Sequence, residues 1–434
     1  MNRNRKILLA SASAGGTIAA VRHLGANGFN VGVMSSGRFG AAAWSRYAAR
    51  TYSAPPEEKN EQFVERLLAI GASDPGQILL PTSDETAWLY TLNADELSRF
   101  FHLAQPPLSV LLNILDKKLF ADIATRAGIA VLPSWDPHTL DDVSELAPAL
   151  PYPILIKPRT HVHRLRNDKG IVVHSAAELE SKYRQYVERE QARSERSSLH
   201  NIKLPILQQF VRVGFEGVLS VTGFIDRTGE LFVTRGAAKV FQRFQPVGVG
   251  VCFESRALPP GMSDAIFRLC RELGYFGMFE VEFLSFDGRW VAIDFNPRLF
   301  NQVGMDIRRG MPLPLFACFE ATGEIAALQE AVAKAQQVRD EEAVFCDRFT
   351  LRAILLAQTM TGRISAENRT YWRKWMTRHA AHSADFVADE NDQLPELIHI
   401  MSEIYLGLKS IPRFLRSTPR ISAQSSSHLA KESL

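Results

Sequence analysis

The chain carries almost no surplus of charge: 50 lysines and arginines stand against 47 aspartates and glutamates, a formal charge of +3 over 434 residues. So balanced a surface argues against nucleic-acid binding through a whole-protein field, and any basic site has to be local. Cysteine is scarce, and Cys252, Cys270, Cys318 and Cys346 have no C-x-x-C spacing. They are poor material for a zinc knuckle or a disulfide framework, and buried free thiols are the expectation. No stretch approaches the roughly 18 unbroken apolar residues of a membrane span. The basic start MNRNRK leads into an apolar run shorter than a secretory signal needs, so a cytoplasmic location is expected. G-x-G-x-x-G is missing, which makes a dehydrogenase a weak reading of Gly15 and Gly16, and no G-x-S-x-G or Cys/His arrangement offers a protein nucleophile.

What is present is an ordinary globular composition, 46% hydrophobic and 22% charged, in a chain long enough for two or three cores. Strand and helix patterns alternate over the first hundred residues, with strands at Lys6 to Ala10, Phe29 to Met34 and Gln77 to Leu80. Boundaries are expected near 1–110, 111–204, 205–328 and 329–434. The second segment opens with a helical pattern from Leu112 to Ala127 and contains the strand PYPILIKP. The third has strands at Ile206 to Val211, Gly217 to Phe224 and Leu231 to Gly236, a helix capped by Ser263, and a hairpin. The fourth reads as helical and increasingly basic, ending in a disordered tail. Within it, Tyr371, Trp372 and Trp375 read as a core stripe.

The sharpest local pattern is FEVEFLSFDGRWVAIDFNPR, residues 279 to 298. Two alternating runs flank Asp287-Gly288, a hairpin signal. Phe279, Val281, Phe283, Val291, Ile293 and Phe295 occupy odd positions, and Glu280, Glu282, Asp294 and Asn296 even ones. With a three-residue loop, facing positions sum to an even number, so the polar four share one face and Asp294 lies opposite Glu280 or Glu282. Carboxylates opposed across a ladder repel, and a hard cation accepting oxygen ligands relieves this, magnesium being the natural candidate. A half-buried hairpin with a solvated polar face has the same pattern.

Lys157 ends the apolar run Ile154-Leu155-Ile156, and Lys117 opens a helix after Asp116. The segment from Arg159 to Lys169 adds Arg164 and Arg166, a basic loop able to close over phosphates or simply to be solvated. His161 and His163 alternate within it, with no third metal ligand nearby. Ile206 to Val211 can turn backbone groups toward a purine, with Glu216 following to accept from a ribose.

The order of these parts resembles the ATP-grasp superfamily, in its carboxylate–amine ligase branch, over about residues 5 to 325. The resemblance implies an α/β fold of the kind found in carbamoyl-phosphate synthase and biotin carboxylase: a Rossmann-like N-terminal domain, a two-lobed ATP-grasp module and a C-terminal helical extension. By position it implies that Glu282, Asp294 and Asn296 hold magnesium, or manganese in its place. Arg298 would face the reacting carboxylate or its acyl phosphate, Lys117 and Lys157 the ATP phosphates, and Lys239 a phosphate or the substrate. Gln208, Gln209 and Val211 would surround the adenine and Glu216 would take the ribose. Asp84 and Glu85, at a strand end, would lie near the carboxylate substrate or cap the next helix. This chain departs from the family in having Asp294 and Gln209 where glutamate is usual, and a phosphate loop with a single glycine.

The implied activity is an ATP- and magnesium-dependent ligase joining a small-molecule carboxylate to an amine through an acyl phosphate. A phosphotransferase, a bicarbonate-using carboxylase and a non-catalytic ATP-binding regulatory subunit are the alternatives. No nucleic-acid partner is expected, and a homodimer is compatible with the sequence. LIHIMSEIYLGLKSIPRFLRSTPR reads as a helix followed by Arg413, Arg416 and Arg420, suited to packing on the body or to weak peripheral contact with an anionic membrane.

Overall fold

A computed structural model describes residues 5–162, 170–194, 204–214, 217–243, 248–338, 342–380 and 383–416. Glu216, His163, Arg164, Arg166, Lys169, Arg420 and the tail lie outside the described residues. Among those described, no helix is long and apolar enough to cross a membrane.

The N-terminal region forms a parallel sheet from β1 (Lys6–Leu9), β2 (Asn30–Ser35), β3 (Ala48–Ser53), β4 (Gln77–Leu79) and β5 (Phe101–Leu103), in the order β3-β2-β1-β4-β5. The order reverses at β1, so the loops after β1 and β4 open a crevice at the carboxyl ends of the strands, where open α/β sheets bind ligands. A small sheet follows, with β6 (Ser134–Trp135), β7 (Ile154–Lys157), β8 (Ile171–Val173) and β9 (Ile206–Gln209) in the order β6-β9-β7-β8. One of its faces is closed by Leu179, Tyr183 and Tyr186 of the helix Ala176–Ser194.

The largest sheet has seven strands: β10 (Val218–Ile225), β11 (Phe232–Arg243), β12 (Val249–Ser255), β13 (Gly277–Phe286), β14 (Arg289–Asn296), β15 (Val344–Cys346) and β16 (Ser383–Asp385), ordered β14-β13-β10-β11-β12-β15-β16. The region read as purely helical therefore also adds two short strands to this sheet. Strand β12 was not expected either.

The N-terminal and central sheets share one apolar core, in which Ile18, Val21 and Leu24 meet Phe224, Phe253, Phe300, Phe316 and Phe345. The pattern from Leu112 to Ala127 is broken at Asp116, whose carboxylate caps the helix Lys117–Arg126 by accepting from the amides of Lys118 and Leu119. The helix Met262–Leu273 is capped by Gly261 rather than Ser263, whose hydroxyl meets Thr234 instead at 2.9 Å. Trp372 and Trp375 are buried as expected, against Phe241, while Tyr371 is exposed. All four cysteines are buried and free.

Candidate active site

The turn of the β13–β14 hairpin has two residues, Asp287 and Gly288, both at positive φ, where the sequence reading assumed three. Near the turn, facing positions consequently sum to an odd number, as in Phe286 with Arg289 and Leu284 with Val291. A β-bulge beyond Glu282 inserts Ile293 and restores the even sum, setting Asp294 opposite Glu282 and Asn296 opposite Glu280. The polar four thus share a face for a different reason than the one assumed. Val291 and Ile293 do not line the greasy face: Ala292 takes that place beside Phe283 and Phe295. The Ile293 carbonyl is left to accept from Lys157 Nζ at 3.0 Å.

Each carboxylate of this face has a cationic or polar partner. Lys117 Nζ lies 2.5 Å from Asp294 Oδ1, and Lys239, projecting from β11, pairs with Glu282. Burial opposes the charge on Lys239, but Glu282, Glu280 and Asp294 outweigh it and push its pKa up. Glu280 accepts from the Ser220 hydroxyl at 2.6 Å, from Asn296 Nδ2 at 2.9 Å and from Gln302. Burial, with the charge of Glu282, pushes its carboxyl up. Lys157 also donates to Gln208 Oε1 at 3.1 Å, and Gln208 Nε2 donates to Ser134 Oγ at 3.1 Å.

Arg298 sits at the end of the same row. Its Nε donates to Asp84 Oδ1 at 2.8 Å and its Nη2 to Asn296 Oδ1 at 2.8 Å. His161 Nδ1 lies 3.2 Å from the other Asp84 oxygen. Burial alone would raise the Asp84 carboxyl, yet Arg298, the His161 hydrogen bond and Lys117 together hold it well below the usual carboxylate range. Ser83, not Asp84 or Glu85, caps the helix Asp84–Leu92.

Two cavities meet at the Lys239–Glu282 pair. One, of about 570 Å³, is lined by Asp84, His161, Glu280, Asn296 and Arg298 together with Ser11 and Glu57 of the N-terminal region. The other is a narrower slot between the sheets, walled by Leu155, Lys157, Gln208, Gln209, Val211, Leu284 and Asp294. The amides of Gln209 and Phe210 are committed to the Pro133 and Pro153 carbonyls. Among the described residues, Lys117, Lys157, Gln208, Gln209, Val211, Lys239, Glu282, Asp294, Asn296 and Arg298 are thus brought to one cleft.

Arg159 is corrected. Rather than joining a mobile phosphate loop, it is buried and paired with Asp116 and Asp136. Gly15 and Gly16, a weak dinucleotide turn in the sequence, have a packing role: a Cβ on Gly16 would stand 2.3 Å from the Phe300 carbonyl oxygen, so this turn seats the loop after Arg298. Ser11, Glu57, Ser220 and Gln302 were missed. Glu57 accepts from the Ser11 and Ser83 hydroxyls, and burial pushes its carboxyl up. In sequence it is one acid of PPEEKN and looks solvated.

Among the described residues, no three His, Cys, Asp or Glu side chains converge into a group that could hold a metal. The donors are nevertheless hard oxygens of the kind magnesium takes: Glu282 and Asp294 directly opposed, with Asn296 two residues on. In this conformation lysine ammonium groups offset the two opposed charges. The donor set fits magnesium in its chemistry.

Sequence comparison finds no matching family model and no matching curated protein. Comparison of structures does find matches. The biotin carboxylase domain of Hydrogenobacter thermophilus 2-oxoglutarate carboxylase, crystallised with MgADP, ADP and bicarbonate, has a TM-score of 0.59 at 15% identity, over 74% of this chain and 70% of that one. Biotin carboxylase from Campylobacter jejuni gives 0.58 at 16%, over 74% and 72%. An L-amino acid ligase from Bacillus licheniformis gives 0.55 at 15%, over 78% of each chain. The chain has the ATP-grasp fold, in the form shared by these carboxylase and ligase structures.

Proposed function

We propose that the chain is an ATP- and magnesium-dependent ligase that activates a small-molecule carboxylate as an acyl phosphate and joins it to an amine, releasing ADP and phosphate. The observation that carries this reading is the pair of opposed carboxylates, Glu282 and Asp294, each held by a lysine where a narrow slot meets a larger polar cavity. A binding-only site has little use for so many charges buried together, since each is costly to desolvate.

In this reading Gln208, Gln209 and Val211 wall the adenine, Glu216 takes the ribose, and Lys117 and Lys157 bind phosphates. Magnesium, when bound by Glu282, Asp294 and the Asn296 carbonyl, supplies neutralisation of the β- and γ-phosphate oxygens. The substrate carboxylate lies toward Arg298. One of its oxygens bonds to the γ-phosphorus as the bond to ADP breaks, and Lys157, Lys239 and Arg298 stabilise the charge that gathers there. The amine nitrogen then bonds to the acyl carbon, the carbon–oxygen bond to phosphate breaks, and phosphate leaves. The amine must shed a proton, and Glu57, buried with a raised pKa in the same cavity, is placed to accept it.

A bicarbonate-using reading draws on one specific observation, the likeness to carboxylase domains. ADP release measured across carboxylate and amine pairs, with and without bicarbonate, separates the two. Turnover that needs both a carboxylate and an amine supports the ligase. Strict dependence on bicarbonate supports the carboxylase, and nucleotide binding without turnover on any pair counts against both.

A further inference from the structure

Of the three acids on the hairpin face, Glu280 has no part in the proposed chemistry, yet it is the most deeply buried, at 4% exposed against 8% for Asp294. Its hydrogen bonds come from neutral groups. Oε1 accepts from the Ser220 hydroxyl at 2.6 Å and from Gln302 Nε2, and Oε2 accepts from Asn296 Nδ2 at 2.9 Å. Gln302 Nε2 also donates to Ser220 Oγ at 2.8 Å. These contacts arrive from three directions: Asn296 stands directly opposite Glu280 on β14, Ser220 lies on the neighbouring strand β10, and Gln302 comes from the loop that opens the helix Val303–Arg308. Ser220, Asn296 and Gln302 are all buried.

The Asn296 amide is bonded at both ends, to Glu280 through Nδ2 and to Arg298 Nη2 through Oδ1 at 2.8 Å. A guanidinium only donates and an ionised carboxylate only accepts, so the amide can be seated in one way. Turned over, its nitrogen would face Arg298 and its oxygen the carboxylate, two repulsive contacts in place of two bonds. We infer that Glu280 is a positioning residue: it holds the Asn296 amide with its carbonyl oxygen toward Arg298, and it is not itself a ligand to the cation. The seating of the amide stands on the hydrogen bonds alone, while its consequence for a cation rests on the proposed magnesium reading. An amide oxygen has two lone pairs and Arg298 takes one, so a carbonyl fixed in this way is a prepared neutral donor. Groups that orient a metal ligand typically govern metal affinity by about 10- to 100-fold.

The test exchanges the acid and the amide across their bond, in the full chain. Glu280→Gln keeps the shape, but with its oxygen still accepting from Ser220 and Gln302 its nitrogen meets Asn296 Nδ2, donor against donor. In metal-free protein its melting temperature is expected to fall by about 4 °C. A carboxylate kept only to bind a cation would instead be relieved of the charge of Glu282, and a rise in melting temperature overturns the inference. Asn296→Asp alone sets two carboxylates face to face and is expected to lose a similar amount. The double variant restores a donor opposite an acceptor and is expected to regain most of the loss; losses that simply add overturn the inference. Manganese binding in the presence of ADP, followed by electron paramagnetic resonance of the free ion, reads the consequence. Glu280→Gln is expected to weaken it about tenfold with the number of bound ions unchanged. An unchanged affinity, or fewer ions bound, overturns the role assigned to Glu280 toward the cation. A wild type that binds no manganese, with stability still restored by the exchange, refutes the magnesium reading and leaves the seating of the amide standing.

Discussion

Lys117 and Asp294, 177 residues apart in sequence, meet as a buried ion pair 2.5 Å long. The pair fastens the first residue of the helix Lys117–Arg126 to β14, the strand that carries Asn296 at its end. It therefore has two roles that substitution can separate, one in holding the fold and one in the proposed chemistry.

Asp294→Ala leaves the Lys117 ammonium buried without this partner, and the expected loss of stability is about 3 to 5 kcal/mol in denaturant unfolding. ATP turnover is expected to fall to background. Replacing both residues together, Lys117→Met with Asp294→Leu, removes the orphaned charge and is expected to recover most of the stability and none of the turnover. Turnover retained in either variant would remove Asp294 from the proposed magnesium set.

Gly16→Ala is expected to be costly for a reason of space alone. The added methyl would meet the Phe300 carbonyl oxygen at 2.3 Å and its carbon at 2.9 Å, both backbone atoms that cannot rotate away. Forcing that loop outward is expected to cost about 1 to 3 kcal/mol and to lower turnover by displacing Arg298, two residues earlier. Gly37→Ala, where nothing lies within 4 Å, is the matched control and is expected to leave both quantities unchanged. Thermal melts and steady-state ADP release check the pair.

The hairpin was legible in the sequence because alternation and Asp287-Gly288 are local signals. The bulge was not. Nothing in WVAIDFN announces that Ile293 is the extra residue, and only pairing with β13 reveals the slip that carries Ala292 into the core. Lys117, Lys157 and Arg298 were legible as candidates through the order of motifs, but their partners were not, since Asp84 and Ile293 reach them only through packing of separate sheets. Glu57 escaped for the same reason: three hydroxyl-bearing residues, Ser11, Thr82 and Ser83, come together around it from two loops. Strands β15 and β16, of three residues each, are too short for any periodicity to mark.

His399 gives a pH dependence of known sign. Burial would lower its pKa, but the hydrogen bond and charge of Asp347 outweigh burial and raise it above the ordinary 6.5. A histidine raised in the folded state stabilises fully below its unfolded value and loses that contribution as pH rises through the folded one. Stability is therefore expected to decline as pH is taken upward from about 6.5, and His399→Gln is expected to flatten that part of the curve. Parallel wild-type and variant curves would show that the Asp347 contact does not hold the C-terminal helix.

The most direct measurement of the proposed chemistry follows an atom. A carboxylate substrate found by the ADP-release survey is labelled with heavy oxygen at its carboxyl group, and the released phosphate is analysed by mass spectrometry after turnover with ATP and the amine. Activation through an acyl phosphate requires one labelled oxygen to pass into each phosphate released, in step with ADP and the amide product. Amide formed with unlabelled phosphate, or with AMP and pyrophosphate in place of ADP, would contradict it.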